Sequence, residues 1–286
     1  MNFPNYFADA ESSFKEAKFV IFGVPFDKTS SFRKGARKAP NEIRKASWNY
    51  ETFNLLTGND LKDVKIHDYG NLDVENDNPN KMIEKVNQFS KEIVLKNKFP
   101  IAIGGEHSIT PGIIQAFPND IAVLSLDAHI DFRKIYENES YNHACVINRI
   151  KDHVGIKNIA VFGIRSAEKD EFDNSIEEGL FYFDFFKIKK IGLEKALEKV
   201  NLYLNNKKIY LTLDIDVIDP AFAPGTSTPE PFGLTSFEVL KCIKYFSKNL
   251  VGFDVVEVCP PYDKGQTSLL AAKYIRNVID FVNFKL

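Results

Sequence analysis

Residues 121–133 read I-A-V-L-S-L-D-A-H-I-D-F-R, an apolar run that closes on two aspartates and a histidine. Such a run has the composition of a buried strand. At strand periodicity residues i, i+2 and i+4 face the same way, so Asp127, His129 and Asp131 are expected to converge where the strand stops. Related groups close three other apolar runs. Gly104-Gly105-Glu106-His107 follows residues 99–103, Asp214-Ile215-Asp216 follows 208–213, and Glu257 stands near the end of 251–258.

Charge decides what such a constellation can be. Asp127, Asp131, Asp214 and Asp216 carry four negative charges when ionised, and within a few ångström of one another some would have to protonate. Two divalent cations would neutralise them, with His107 and His129 as neutral nitrogen donors. A mixed N/O set without thiolate favours manganese, magnesium or zinc over copper(I) or iron–sulfur. Six ligands for two ions require sharing, so at least one carboxylate should bridge. A metal pair about 3.5–4 Å apart can hold a hydroxide at neutral pH. His67 and His153 lack such companions and are read as ordinary polar residues.

The elements that must position these groups follow from the apolar pattern. Strands are expected at 19–26, 64–69, 99–103, 121–126, 158–164, 180–183, 208–213 and 251–258. Helical spacing is expected at 35–46, 79–97, 110–117, 144–152, 168–178, 193–204, 236–247 and 268–284. Strands separated by helices imply parallel pairing with both sheet faces covered. Eight β/α units fit an open doubly wound sheet or a closed barrel, and pattern alone does not separate the two. Either architecture gathers chemistry at the carboxyl ends of its strands. No composition break divides the chain, so residues 1–286 are expected to form a single domain.

Hydrophobic residues make up 44% of the 286, enough for a sizeable core, and the formal net charge is −2. Lys and Arg are scattered, which argues against nucleic acid or an anionic membrane as partner. The first residues, MNFPNYFADAESSFKEAKF, lack the charged start and apolar core of a signal peptide, and no apolar run is long enough for a membrane span. Cys145, Cys242 and Cys259 are odd in number and widely spaced. They are expected to be buried reduced thiols of a cytoplasmic protein.

GGEHS at 104–108, SLDAHIDFR at 125–133 and LDIDVIDPAFAPGTSTPEPFG at 213–233 resemble the three signature blocks of the ureohydrolase family, which contains arginases and agmatinases. GVPFDKTSSFRKGARKAPNEIR (23–44), YNHACVINRI (141–150) and VFGIRSAEKDEF (161–172) are similar to blocks of agmatinases, the last two to the bacterial and archaeal type. The resemblance spans nearly the whole chain in the family's order. It implies a three-layer α/β/α fold on an eight-stranded, mostly parallel open sheet, and a cofactor of two Mn2+ per subunit. By motif position, His107, Asp127, Asp131 and Asp214 would bind one ion, and His129, Asp127, Asp214 and Asp216 the other, with Asp127 and Asp214 as bridges. The implied reaction is attack of a metal-bridging hydroxide on a guanidinium carbon, releasing urea and an amine. Asp131 would pass a proton to the leaving nitrogen. His143 matches the family's proton-shuttle histidine, and Glu257 the acid that pairs with the substrate guanidinium. Trimers or hexamers are the implied assemblies.

The implied substrate is agmatine, a small guanidino molecule giving urea and putrescine. Arginases carry a Thr/Ser-rich segment with an Asn and a His-Gly pair after the Asp-Ala-His block. Here that segment reads FRKIYENESYNHACV, with Ala after His143. Arg133 and Lys134 are cations that would attract a substrate carboxylate, which keeps arginase in view beside guanidinobutyrase and a non-catalytic metal- or guanidino-binding relative. Ser227 and Phe232 stand where many members have Gly, which would alter loop shape near the substrate tail. Asp219-Pro220 is read as structural, with the carboxylate capping the turn.

Overall fold

The computed structural model describes residues 4–285. The chain forms β1 (Phe19–Val24), α1 (Ala39–Ser47) and a short antiparallel hairpin of β2 (Phe53–Asn54) and β3 (Asn59–Asp60). It continues through β4 (Ile66–Asn71), α2 (Pro79–Leu95), β5 (Phe99–Gly104), α3 (Thr110–Ile114), β6 (Ala122–Leu126) and α4 (Val146–Val154). Then come β7 (Ile159–Ile164), α5 (Lys169–Glu177), β8 (Phe181–Asp184), α6 (Phe185–Ile191), α7 (Leu193–Tyr203), β9 (Ile209–Asp214), α8 (Ser236–Phe246), β10 (Leu250–Val256) and α9 (Gln266–Phe284).

All eight strands expected from the apolar runs form, and they build one sheet in the order β4-β1-β5-β10-β9-β6-β7-β8. Every neighbouring pair is parallel, and β4 and β8 are the two edge strands, β4 met from outside by a single antiparallel bridge between Glu11 and His67. The sheet is therefore open, which removes the barrel alternative. Alternation along the strands explains why both faces are covered. Ile209, Leu211 and Leu213 join the core of one face with residues of α1, α7, α8 and α9. Val20, Phe22 and Tyr210 join the core of the other with residues of α2, α3 and α4.

Two elements are absent from the sequence-based expectation. The β2–β3 hairpin has strands of two residues, too short to carry a period. It is pinned by Asp280 of α9, whose carboxylate accepts from Asn54, Thr57 and Asn59. Helix α6 fully buries only Ile188, with Phe185 and Ile191 half-buried beside it, a stripe too short to stand out as a period. Its start is set by Asp184, whose side chain accepts the Lys187 N–H at 2.8 Å.

The topology places the four strands β5, β10, β9 and β6 side by side at the sheet centre. These are the strands whose carboxyl ends precede or contain His107, Glu257, Asp214 and Asp127. β5 and β6 are consecutive sheet strands in the chain, yet β10 and β9 lie between them, inserted by the last third of the sequence. At the exit of β5 the Phe26 backbone crosses so closely that a Cβ on Gly105 would lie 1.8 Å from the Phe26 carbonyl oxygen. Gly105→Ala must separate two backbones, and it should cost about 1–3 kcal/mol while displacing His107. Urea denaturation together with divalent-metal uptake checks both; an alanine variant with unchanged stability and uptake contradicts the close approach.

Candidate metal centre

β6 ends at Leu126, so Asp127, His129 and Asp131 lie beyond the strand. Their convergence, expected from strand alternation, has a different cause. The Asp127 N–H still donates to the Phe162 carbonyl at 3.1 Å, and the Ala128 carbonyl accepts from Arg165 and Ser166 N–H at 2.8 and 3.1 Å. The chain then turns through Asp131 with φ +47°, the left-handed region that non-glycine residues rarely occupy. That turn swings the Asp131 carboxylate back toward His107.

The six residues expected to bind metal come together. His107 Nδ1 lies 3.2 Å from Asp127 Oδ2, 3.2 Å from Asp131 Oδ2 and 3.4 Å from Asp214 Oδ2. His129 Nδ1 lies 2.9 Å from Asp216 Oδ2 and 3.8 Å from Asp127 Oδ1. Two groups of mutually close ligand atoms result, His107–Asp127–Asp214 and Asp127–His129–Asp216, and they share Asp127. Asp214 belongs to the first group alone, and its Oδ1 accepts the Asp216 N–H at 2.9 Å. Other atoms are held by backbone: the His129 N–H donates to Asp127 Oδ1 at 2.7 Å and the Ala128 N–H to Asp216 Oδ1 at 3.1 Å. His107 Nδ1 and Asp127 Oδ2, both buried, find no hydrogen-bond partner. A buried donor set of imidazole nitrogen and carboxylate oxygen left open in this way fits a divalent cation.

Electrostatics points the same way. Burial and the Asp127 charge push the Asp131 carboxyl up to about 7. Burial, Asp216 and Asp127 raise Asp214 well above the usual carboxylate range. Burial also opposes charge on Asp216, but His129 and hydrogen-bond donors hold it at about 2. For His107 and His129 burial disfavours the cation, yet the surrounding carboxylates outweigh it and raise both imidazoles well above their ordinary value. Without a metal, protons must stand in for the missing positive charge.

His107, Asp131, His143, Asp214 and Glu257 open onto one cleft of about 180 Å³, with Arg133, Tyr136 and Glu171 on its walls. Glu257 has φ +61°, and its Oε1 accepts the His107 N–H at 2.6 Å. Burial and the neighbouring Glu106 push its carboxyl up to about 8. His143 begins a short 3-10 turn capped by Asn142. Its Nδ1 lies 3.4 Å from Thr29 Oγ1 and its Nε2 3.3 Å from Ser31 Oγ. Burial and His129 hold this imidazole down at about 4.

Glu106 is a residue the sequence reading passed over. It is wholly buried and accepts from Thr29 N–H at 2.9 Å, Thr29 Oγ1 at 2.6 Å, Ser108 Oγ at 2.6 Å and Ser30 Oγ at 3.2 Å. Thr29 in turn accepts the His143 N–H at 3.1 Å. The signal was an acid between Gly-Gly and His, where no solvated turn was available to it. Of the two cations beside the cleft, Arg133 is occupied by Glu171 at 3.3 Å and lies over the Tyr136 ring at 4.5 Å. Lys134 points out toward Glu178. His67 and His153 lie apart from the site, each bonded at 2.9 Å to a carbonyl, Ser12 and Phe117 respectively.

The 224–233 loop is fixed by hydrogen bonds around Ser227 and Phe232. Phe232 takes φ +64° itself, the conformation for which a glycine would be suited. Arg165 Nη2 donates to the Asp216 and Glu230 carbonyls at 2.6 and 2.7 Å, and its Nε to that of Pro231 at 3.0 Å. Asp219 accepts the Ala221 N–H at 2.9 Å and the Gly233 N–H at 3.0 Å, the turn cap expected of it.

The pH dependence of the metal-free chain follows with a definite sign. Asp131, Asp214, Glu257, His107 and His129 all hold protons more tightly folded than unfolded. Where the folded chain binds more protons, stability falls as pH rises. His143 acts in the opposite sense, but only below its ordinary value of ~6.5. Above that the raised groups act unopposed. The Tm of the chelated chain should therefore fall between pH ~6.5 and ~8, read by scanning calorimetry, and added Mn2+ should recover most of the loss. A Tm that climbs over this window contradicts the charge balance.

Residues 17–280 match the family model described as Arginase family. The chain is 36% identical over 280 residues to an agmatinase of Bacillus cereus, covering 96% of this chain and 94% of that protein. It is 37% identical over 272 residues to the N(1)-aminopropylagmatine ureohydrolase of Thermococcus kodakarensis, covering 91% and 89%. The crystal structure of the agmatine ureohydrolase of Thermoplasma volcanium superposes with a TM-score of 0.94 at 40% identity, over 99% of this chain and 96% of that one. By its sequence blocks, its open parallel sheet and the ligand clusters at the sheet's carboxyl edge, the chain belongs to the arginase family.

Proposed function

We propose that residues 1–286 act as one domain that hydrolyses agmatine to putrescine and urea with two Mn2+ held by His107, Asp127, His129, Asp131, Asp214 and Asp216. The observation that carries the reading is the pair of ligand groups sharing Asp127, with two open buried ligand atoms, in the same cleft as Glu257. Manganese bound there lowers the pKa of water and so supplies the nucleophile near pH 7.

The chain's own residues do the rest. A buried carboxyl held at about 8 gains strongly from a cation, and Glu257 has Oε2 free of the His107 N–H that engages Oε1. A guanidinium offers such a cation as a planar fork and would be oriented by that carboxylate. Asp131, half committed to its ligand contacts and held at about 7, is suited to pass a proton to the leaving nitrogen. His143, flanked by two hydroxyls at the cleft, is placed to move protons between cleft and bulk. An amine tail is favoured over a carboxylate tail because Arg133 is already paired with Glu171. The relatives named above for agmatine and for N(1)-aminopropylagmatine agree with an amine tail. Assembly into trimers or hexamers is part of the same proposal.

Urea release from agmatine, N(1)-aminopropylagmatine, arginine and 4-guanidinobutyrate, with Mn2+ and after chelation, tests the reading. Agmatine is expected to lead, with loss of activity on chelation. No urea from any substrate with Mn2+ added would sink the enzyme reading, and arginine in the lead would overturn the substrate choice. Asp127→Ala and Asp214→Ala should reduce turnover to background, because each removes a shared or deep ligand; near-normal rates would refute those roles. His143→Ala should lower kcat by about 10²-fold with metal content intact, whereas metal loss in that variant would make His143 a ligand.

A further inference from the structure

Asp254 lies on β10, three residues before Glu257, with its carboxylate wholly buried. Among the described residues no ion pair reaches it. Three hydroxyls do: Thr212 Oγ1 at 2.6 Å on one oxygen, and Tyr210 OH at 2.9 Å and Thr110 Oγ1 at 3.1 Å on the other. With both oxygens engaged the carboxylate cannot rotate. Thr212 is its direct neighbour on β9, in register with Asp254. Thr212 Oγ1 also lies 3.0 Å from His107 Nε2.

A threonine hydroxyl has one proton to give. Thr212 gives it to Asp254, its shortest contact, so toward His107 it can only accept. Nε2 of His107 must then carry the hydrogen. When the imidazole is neutral, its lone pair is on Nδ1, the buried atom without a hydrogen-bond partner that faces Asp127, Asp131 and Asp214.

We propose that the Asp254–Thr212 pair is a positioning device that fixes His107 in the tautomer whose Nδ1 can take a metal ion, and thereby sets the affinity of one of the two ion positions. Metal-ligating histidines are held in this way by a partner on the other ring nitrogen, which fixes the ring's orientation and makes it a better ligand. Here the partner is a hydroxyl backed by a carboxylate, delivered by two adjacent strands. The inference rests on the metal-centre reading above, and goes beyond it by naming what selects the ligand atom.

The test is calorimetric titration of the metal-free full chain with MnCl2, alongside its Tm without metal. The wild-type chain should take up two ions. Thr212→Val keeps the shape of the side chain but removes the hydroxyl, and should weaken one ion by about 10–100-fold while leaving the other unchanged. Thr212→Ser should restore wild-type affinity. Asp254→Asn, which keeps the shape and removes the charge, should weaken the same ion, and it decides the matter if the valine variant does not fold. Both ions bound by these variants as in wild type would overturn the inference alone. So would equal weakening of both ions with a lowered metal-free Tm, the signature of a merely structural role. A wild-type chain that binds no Mn2+ would instead overturn the metal centre, and this inference with it.

Discussion

Uncompensated negative charge is the constraint on which the rest of the molecule turns. Asp127, Asp131, Asp214 and Asp216 are all buried, and three of them lie within 3.4 Å of one imidazole nitrogen. Two histidines can balance two carboxylates at most, and only when protonated. Concentrating charge in this way is expensive in a low dielectric unless a cation completes it. The surrounding structure is what holds the groups in place against that cost. Two apolar cores clamp the sheet, and backbone N–H groups fasten carboxylate oxygens that would otherwise turn away.

The same constraint explains where the backbone is strained. Asp131 and Glu257, which open onto the cleft from the ends of different strands, both hold left-handed conformations. Neither sits in a regular turn that would favour such a φ. Each aims a carboxylate inward at a point where an extended chain would carry it past the centre. On the far side Arg165 secures the 224–233 loop through backbone carbonyls, and the hydroxyls of Thr226 and Thr228 tie it to the Glu257 carbonyl and the Asp216 carboxylate. Phe232 can therefore occupy a glycine-like conformation with its ring in solvent.

The inner strands could be read from the sequence because they are buried on both faces and appear as apolar runs, whereas the edge strands β4 and β8 are only partly buried and carry a weaker signal. The ligands could be read because acids and histidines directly after such runs have no solvent to explain them. What could not be read depends on contacts remote in sequence. The β2–β3 hairpin owes its existence to Asp280, more than 200 residues away. The turn that brings Asp131 back is invisible to a rule of alternation, since the strand has already ended at Leu126. Glu106, Thr212 and Asp254 look like ordinary core or loop polar residues until the hydrogen bonds reveal what they hold.

Strand order has a consequence for how the molecule comes into being. The His107 N–H meets the Glu257 carboxylate across 150 positions of sequence, and β9 and β10 must enter between strands the chain made much earlier. Contacts so remote are slow to close. During synthesis β5 and β6 must each wait with an unpaired edge, the condition in which sheets recruit the wrong neighbour. No partial chain ending before Asp214 contains both ligand groups. Because Asp214 and Asp216 stand at the end of β9, the two groups of ligand atoms come together only once that strand has been threaded into the middle of the sheet, and the completed charge cluster is a chemical record that distant parts of the chain have met.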